Sequence, residues 1–100
     1  MEPTFEWDEP KARANQKKHG VSFDEAATVF ADPLAAIFPD VDHSQDEVRE
    51  IIVGHSDRNR LLIVSFTERE TAVRIISARV ATPRERKNHE DNPLGGRGHE

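Results

Sequence analysis

Apolar and polar positions change their period about a third of the way along this chain. Up to Pro33 the apolar side chains recur at helical spacing, and from Leu34 onward they gather in short runs of Val, Ile and Leu between polar turns. The pattern therefore predicts helices first and a sheet afterwards. One hundred residues suffice for one domain with a single core.

The first predicted elements are a short strand over residues 4–7 and a helix that Asp8 caps and Gly20 ends. Beyond its first turn, the only apolar side chains of this helix are Ala12 and Ala14. We therefore expect the helix to lie on the surface, with a narrow stripe of contact to the core.

Two further helices are predicted to begin at capping boxes, in which a hydroxyl side chain and a carboxylate three residues later each accept the other residue's backbone N–H. Ser22 and Glu25 have this spacing, and so do Thr82 and Glu85, with Pro83 at the first helical position. The second helix repeats its apolar residues at helical spacing and should bury one face.

Four apolar segments between the second and third helices predict a sheet. The turns between the later segments are short, which makes successive strands antiparallel neighbours in a meander. Because several segments are apolar on both faces, we expect the two N-terminal helices to cover one face and the C-terminal helix the other. The predicted fold class is therefore α+β. The four segments read LAAIF, VREIIVG, LLIVSF and TAVRIIS.

The sequence predicts one domain over residues 1–90 and a tail over residues 91–100. Three glycines and one proline among the ten residues of the tail predict disorder there. No internal repeat is present that would indicate a second unit.

Composition excludes several classes of protein. No run of about 18 apolar residues occurs, and the first residues lack the layout of a secretory signal, so we expect a soluble, cytoplasmic chain without membrane contact. The absence of cysteine excludes disulfides and a thiol nucleophile. The histidines lack the spacing of a metal motif, so we expect neither a metal nor another cofactor. These histidines are His19, His43, His55, His89 and His99.

The net charge of −5 is unevenly distributed. Residues 40–50 contain five acidic side chains and one arginine, a local charge of −4, which leaves −1 for the other 89 residues. A nearly balanced remainder can still present a basic face, because a ligand responds to the local field. The acidic segment is either a solvated loop or a surface that faces a cationic partner.

Two stretches of the chain resemble one known family. Residues 5–33 read FEWDEPKARANQKKHGVSFDEAATVFADP, and residues 60–90 read RLLIVSFTERETAVRIISARVATPRERKNHE. In amino-acid sequence and in their order along the chain, these stretches resemble the BrnT-type toxins of bacterial type II toxin-antitoxin systems. The resemblance extends from Phe5 to about Glu90 and ends before the tail.

The resemblance implies a RelE-like fold and endoribonuclease activity that inhibits translation. It also implies a cognate antitoxin that neutralises the toxin and binds operator DNA through a ribbon-helix-helix dimer. The expected assembly is a 2:2 complex in which the antitoxin dimerises, so that the toxin reaches DNA only through its partner.

Cleavage of RNA without a metal ion needs a base for the 2′-hydroxyl proton, cations for the phosphate and a donor for the leaving oxygen. The resemblance implies that such groups come from charged side chains on the open face of the sheet. The catalytic candidates are Arg79, Glu68, Arg74 and His19.

Arg79 is preferred over Arg74 as the ligand of the phosphate. The two lie five residues apart in the last strand, and this odd spacing puts them on opposite faces unless a bulge intervenes. Arg79 lies at the exit of the strand, and its planar fork can hold a phosphate by two hydrogen bonds. The alternatives are an ion pair between Arg79 and Glu85 and a surface ion pair for Arg74.

Glu68 and Arg69 lie in the turn before the last strand and could reach the same end of the sheet if the strands are short. Glu68 is the candidate general base, and Arg69 is a candidate contact to RNA. The alternative for both is a solvated hairpin turn without a function.

The other candidate RNA contacts are cations on two helices and one aromatic ring. Lys17 and Lys18 could hold the RNA backbone beside His19, although positive charge there also complements the helix dipole. Trp7 could stack on a base or pack against the first helix. The last helix offers a basic patch near Arg79, or merely a solvated face. Its cations are Arg84, Arg86 and Lys87.

A second hypothesis is a non-enzymatic module that binds a partner and acts as a co-repressor with its antitoxin. The uncertain identity of the acid and base keeps this reading open. The two hypotheses differ in one measurable property, because only the first requires that a substitution at Arg79 abolish toxicity while antitoxin binding persists.

Overall fold

The computed structural model describes residues 4–40 and 48–91. Residues 41–47, most of the acidic segment, and residues 92–100, nearly all of the predicted tail, lie outside the described residues. Within the described ranges the α+β class is confirmed, with three α-helices and five strands. In chain order they are β1 (Phe5–Glu6), α1 (Glu9–His19), α2 (Phe23–Thr28), β2 (Ala36–Pro39), β3 (Glu50–His55), β4 (Leu61–Glu68), β5 (Val73–Val80) and α3 (Pro83–Asp91), with a 3-10 turn (Val29–Ala31) after α2.

The five strands form one sheet in the order β1-β5-β4-β3-β2. The strands β2 to β5 are antiparallel neighbours as predicted, but β1 pairs with β5 in the parallel direction. The predicted antiparallel meander is therefore confirmed for β2 to β5, and the parallel pairing of β1 makes the whole sheet mixed. Short turns fix the relative directions of β3, β4 and β5, whereas the link from β2 to β3 spans residues 40–49. Strand β1 reaches its neighbour only through the two helices and the whole meander, which no turn length constrains.

The main core lies between one face of the sheet and the first two helices. Phe23, Ala26 and Val29 from α2 and its 3-10 extension pack on Val64 and Phe66 of β4. No helix within residues 4–40 and 48–91 has the length and apolarity needed to cross a membrane.

Helix α1 is attached to the sheet by an amide that the apolar pattern did not indicate. Ala12 is buried as predicted, but Ala14 is exposed and the second inward residue is Asn15, which is only 8% exposed. The side chain of Asn15 donates to the carbonyl of Ala78 at 2.8 Å and accepts the N–H of Ala78 at 3.1 Å. It also donates to the carbonyl of Val21 at 3.0 Å. The amide thus bonds β5 as a neighbouring strand would, beyond the point where the short β1 ends.

The predicted helix starts are correct, with one difference in bonding. Thr82 and Glu85 form the reciprocal capping box, in which Thr82 N donates to the carboxylate at 2.9 Å and Glu85 N to the hydroxyl at 3.1 Å. At α2, Ser22 Oγ accepts the N–H of Glu25 at 3.0 Å, but the Glu25 carboxylate does not complete the box. It is bound by residues 56 and 60 of the β3–β4 turn instead.

The buried carboxylate of Glu25 joins that turn to the helices. Arg60 Nε donates to it at 3.0 Å and Ser56 Oγ at 2.7 Å, while another Arg60 nitrogen donates to the Gly20 carbonyl at 3.0 Å. The hydrogen bond from Arg60 lowers the pKa of Glu25 below its usual value of 4.5, although burial opposes that shift. The ionised carboxylate is therefore part of the folded structure.

A β-bulge in β5 determines which side chains reach the second face of the sheet. Ser65 pairs with Ser77 and Phe66 with Ile75, so that Ile76 is the extra residue. Because paired residues share a face, Arg79 (opposite Ile63) and Arg74 (opposite Thr67) lie on the same face. The expectation from simple alternation, that these two arginines point to opposite faces, was wrong.

The second face has a smaller core under α3. Val53, Leu61 and Ala81 are buried there, and Ile51 and Ile63 are partly buried against them. Helix α3 itself contributes no buried residue, because its sequence is almost wholly polar. The sheet face is consequently only partly covered, and a groove remains open beside the helix.

We expect the change Asn15→Leu to lower the free energy of unfolding by about 2–4 kcal/mol, because it leaves a buried N–H and two carbonyl groups without partners. Urea unfolding measures this loss. Gln16→Leu makes a similar change at the adjacent exposed position and should shift stability by less than about 0.5 kcal/mol. Equal effects of the two changes would contradict the role of the amide.

We expect Glu25→Gln to cost about 1–3 kcal/mol at pH 7, since it removes a charged acceptor of the Arg60 and Ser56 hydrogen bonds. The folded-state pKa of Glu25 is lowered, so its ionised form stabilises the fold above the unfolded pKa of about 4.5 and that contribution is lost as the pH falls. The difference between parent and variant should therefore shrink below about pH 4 in thermal unfolding. The control Glu70→Gln, at an exposed turn position, should shift stability at pH 7 by less than about 0.5 kcal/mol.

Candidate functional site

The uncovered part of the second sheet face is a groove with two adjoining compartments that share Arg79. One compartment, of about 420 Å³, lies beside α3, and we call it the apolar compartment. The other, of about 240 Å³, lies toward the end of α1, and we call it the polar compartment. The apolar compartment is lined by Phe38, Ile51, Val53, Ile63, Arg79, Glu85, Asn88 and His89. The polar compartment is lined by Ile51, Ile63, Ala78 and the polar residues His19, Asp40, Arg49, Ser65, Ser77 and Arg79.

Strand pairing builds the floor of the polar compartment. Ser65 and Ser77 are direct partners on β4 and β5 immediately beside the bulge, and Arg79 follows Ser77 on the same face. His19 is the last residue of α1, which ends at Gly20 in a left-handed conformation (φ 71°). Two hydroxyl groups, a guanidinium and an imidazole therefore border one small cavity.

Asp40 and Arg49 complete the polar compartment from the ends of β2 and β3. The backbone N–H of Asp40 donates to the Arg49 carbonyl at 2.9 Å, which continues the pairing of the two strands. Among residues 4–40 and 48–91, the charged and titratable groups that line the compartment are two arginines, one histidine and one aspartate. Although the chain is acidic overall, this cavity suits an anion, because guanidinium groups and hydroxyls all donate hydrogen bonds to phosphate oxygens.

Arg79 is paired with a carboxylate of α3. Its two terminal nitrogens donate to the two oxygens of Glu85, each at 2.8 Å, in a fork-to-fork arrangement. The hydrogen bonds from Arg79 lower the pKa of Glu85 to about 2, and the same bonds raise the pKa of Arg79. The Arg79–Glu85 ion pair, the alternative indicated by the sequence, is therefore formed, with side chains 41% and 34% exposed. Because Glu85 belongs to α3, this ion pair places Arg79 beside a helix and not at an uncovered edge of the sheet.

The structure does not bring the other two catalytic candidates to this cavity. Arg74 donates to Glu6 on β1 at 3.2 Å and lies about 13 Å from Arg79, since their partners are four residues apart on β4. Glu68 is exposed at the end of β4 and borders neither compartment. Arg69 approaches the same Glu6 carboxylate at 3.9 Å. These residues thus lie at the other end of the sheet from Arg79, and Glu68, which pairs with Val73, also lies on the opposite face.

Two cations of α1 directly precede His19 in the sequence but do not themselves line the polar compartment. Lys17 and Lys18 are exposed in the last turn, directly before His19, and their side chains form no ion pair within the described part of the chain. They can extend the positive surface of the cavity outward. Their position also complements the helix dipole, the alternative that the sequence left open.

The cations of α3 do not converge on Arg79 as expected. The helix presents Glu85, Asn88 and His89 to the groove, a spacing of three and four residues that defines one helical side. The remaining positions of the helix point away from the groove, and Lys87 pairs with Asp91 at 3.3 Å. The cations of α3, none of which borders either compartment, are Arg84, Arg86 and Lys87.

Trp7 packs against the core. Its ring meets Phe23 edge to face, with centroids 5.9 Å apart at 82°, and its indole nitrogen donates to Glu9 at 3.2 Å. The packing interpretation of Trp7 therefore describes its place in the structure, and the ring lines neither compartment of the groove.

A second polar cluster joins α3 to the turn after the 3-10 helix. Asp32 accepts the N–H groups of His55 at 2.7 Å and Leu34 at 3.0 Å, and the His55 ring lies 6.1 Å from that of His89. Burial alone would raise the pKa of Asp32, but these N–H groups outweigh it and the pKa is lowered. Among residues 4–40 and 48–91, no group of three or more His, Asp or Glu side chains could hold a metal ion.

Sequence reasoning missed four polar residues that line the polar compartment: Asp40, Arg49, Ser65 and Ser77. A signal for two of them is present, because Ser65 and Ser77 interrupt the otherwise apolar segments LLIVSF and RIIS. A hydroxyl inside an apolar strand indicates a face that is not fully covered. Asp40 and Arg49 carry no such signal, since both lie within the acidic segment.

Comparisons with known proteins place the chain in a family. The sequence model of the ribonuclease toxin BrnT of type II toxin-antitoxin systems matches residues 7–85. The crystal structure of the ribonuclease toxin BrnT from Brucella abortus superimposes with a TM-score of 0.63 and 26% identity, covering 80% of this chain and 97% of that one. No curated protein matches the sequence. Since the family match spans most of its length, this chain belongs to the BrnT family of ribonuclease toxins of type II toxin-antitoxin systems.

Proposed function

We propose that this chain is an endoribonuclease toxin with a RelE-like fold that cleaves RNA without a metal ion and thereby inhibits translation. The observation that carries the proposal is the polar compartment, where Arg79, Arg49, His19 and two serine hydroxyls border one cavity. In the reaction, the 2′-oxygen attacks the adjacent phosphorus and the 5′-oxygen leaves. One proton passes from the 2′-hydroxyl to a base and one passes from an acid to the leaving oxygen.

The side chains divide these tasks by their chemistry. Arg79 and Arg49 stabilise the charge that develops on the phosphate, and the hydroxyls of Ser65 and Ser77 donate to its non-bridging oxygens. His19 transfers a proton, because an imidazole can either accept or donate one. We assign the proton transfer to His19 and not to Glu68, since Glu68 borders neither compartment.

The RNA strand would approach along the end of α1. Lys17 and Lys18 are exposed there beside His19, where they can contact successive phosphates of a single strand. Contacts of this kind position the strand and carry no sequence information. The bases would then lie toward the apolar compartment, whose floor includes Phe38.

The proposed partner is a ribbon-helix-helix antitoxin in a 2:2 complex, which neutralises the toxin and carries it to operator DNA. Family membership supports an antitoxin partner. A segment of the antitoxin that covered the groove would exclude RNA from it, and this would explain neutralisation without any change in the fold of the toxin.

One observation favours the second candidate function, a non-enzymatic module that acts with its antitoxin as a co-repressor. The fork of Arg79 is already filled by Glu85, so the free protein does not display an open guanidinium. If this pair were permanent, the groove would be only a binding surface. The two functions are distinguished by whether the purified protein cleaves RNA.

We expect purified protein to cleave single-stranded RNA in the presence of EDTA and to leave 2′,3′-cyclic phosphate ends. His19→Gln should lower kcat by about 100-fold or more, because it removes the group that transfers the proton. His55→Gln makes the same change outside the polar compartment and should leave kcat unchanged. A parent protein that neither cleaves RNA nor arrests growth would reject the enzymatic function and leave the co-repressor.

We expect the double change Lys17→Gln and Lys18→Gln to flatten the salt dependence of RNA binding. Each lost phosphate contact on a single strand should reduce the slope of log K against log salt by about 0.7, so the pair should reduce it by about 1.4. Fluorescence anisotropy at several salt concentrations measures this slope. Arg84→Gln with Lys87→Gln removes the same charge from α3, and a slope change there instead would place the RNA path across α3.

A further inference from the structure

The fork of Arg79 already contains an anion in the free protein. Two of its N–H groups point at the two oxygens of Glu85, each at 2.8 Å. Two oxygens of a phosphate would use the same pair of donors in the same geometry. The carboxylate of Glu85 thus occupies the place that a phosphate bound to this fork would take.

We propose that Glu85 is an intramolecular competitor of the RNA phosphate, which leaves Arg79 when the substrate binds. This inference rests on the proposed function, because it concerns the arginine of that site. In the free toxin Arg79 holds Glu85, and in the RNA complex it holds the phosphate. Helix α3 therefore acts as a displaceable cover at one side of the groove.

The way α3 is attached supports such an exchange. The helix has no fully buried side chain, and its most enclosed residues, Glu85, Arg86 and His89, are only half-buried. Within the described residues its side chains join the sheet through Glu85 on Arg79 and through His89 beside His55. The Glu85–Arg79 ion pair and the His89–His55 contact can both separate without unfolding either hydrophobic core.

The position of the ion pair gives an incoming anion access to it. Arg79 and Glu85 are 41% and 34% exposed, and both line the apolar compartment, while Arg79 also borders the polar one. Partly exposed pairs are weak because water screens their attraction. If a phosphate draws the fork of Arg79 toward the polar compartment, it gains further donors in Ser65 and Ser77, which do not line the compartment of Glu85.

The exchange must be driven by a competing anion and not by a proton. The groups that face the Glu85 carboxylate are the Arg79 guanidinium and the backbone N–H of Thr82, both of which stabilise its negative charge. With a pKa of about 2, Glu85 stays ionised throughout the physiological range. Acidification to pH 5 should therefore leave the pair closed.

The test compares two variants of α3 that lose the same charge. Glu85→Gln removes the competitor but retains the helix cap, because glutamine at this position still accepts the N–H of Thr82. Glu90→Gln removes one charge from an exposed position on the same helix. Binding is measured with a 2′-O-methylated RNA oligonucleotide, which cannot be cleaved, and KM and kcat are measured with ordinary RNA.

If Glu85 competes with the phosphate, Glu85→Gln should tighten RNA binding and lower KM by about fivefold or more, with kcat within twofold of the parent. Glu90→Gln should change binding by less than twofold. Glu85→Asp keeps the charge and a cap but is one methylene short of the two-point contact, so it should also tighten binding. Weaker binding by Glu85→Gln would show that Glu85 holds Arg79 in its working position, which would overturn the proposal.

A titration with inorganic phosphate separates this inference from the proposed function. The Arg79 side-chain N–H signals in NMR report phosphate at the fork whether or not the protein cleaves RNA. Glu85→Gln should bind phosphate more tightly than both the parent and Glu90→Gln. Equal binding by all three proteins would reject the competition, even in a protein that proved to be an active ribonuclease.

Discussion

The β-bulge at Ile76 is the constraint on which the arrangement of the second face depends. Ile75 and Ala78 both face the main core although they are three residues apart, which a regular strand does not permit. The extra residue corrects the alternation, so that the apolar side chains stay inside while Ser77 and Arg79 reach the groove. One irregularity in the pairing of β4 and β5 therefore serves both the core and the site.

The Asn15 amide then fixes the position of the second half of β5 relative to α1. It bonds both backbone groups of Ala78, the residue immediately before Arg79. His19 is four residues after Asn15, one helical turn along the same side of α1, and so comes to lie beside Arg79 in the polar compartment. Bonds that satisfy the edge of the sheet thus also bring the imidazole and the guanidinium together.

Much of the fold could be read from the sequence, because its signals are local. Asp8, Gly20 and Pro33 mark helix ends through backbone preferences of a few neighbouring residues, and the short turns dictate the antiparallel meander. The parallel pairing of β1 with β5 could not be read, since no local pattern records which distant strand becomes a neighbour. The incomplete capping box at Ser22 could not be predicted either, because the Glu25 carboxylate is bound by Arg60, a residue 35 positions away in the sequence.

Residues of the candidate site could be predicted only where a residue with suitable chemistry also stands at the end of a predicted helix or strand. Arg79 and His19 are distinctive residues at the ends of predicted elements, and the groove contains both. Glu68 and Arg74 have equally suitable chemistry, but both lie at the other end of the eight-residue strands β4 and β5, and Glu68 also lies on the opposite face. The cations of α3 line neither compartment, because Glu85, Asn88 and His89 occupy the side of the helix that faces the groove.

The pairing of Arg79 in the free chain also follows from its place in the groove. A guanidinium that is more than half buried loses part of its hydration, so it needs an anion nearby whether or not RNA is present. Glu85 can supply that anion because the capping box holds its carboxylate within reach, with Thr82 N–H on one oxygen and the arginine on both. Under the proposed exchange the arginine is paired in both states, and only the identity of its partner changes. Under that proposal, the first turn of α3 supplies the anionic partner of Arg79 whenever no phosphate is bound.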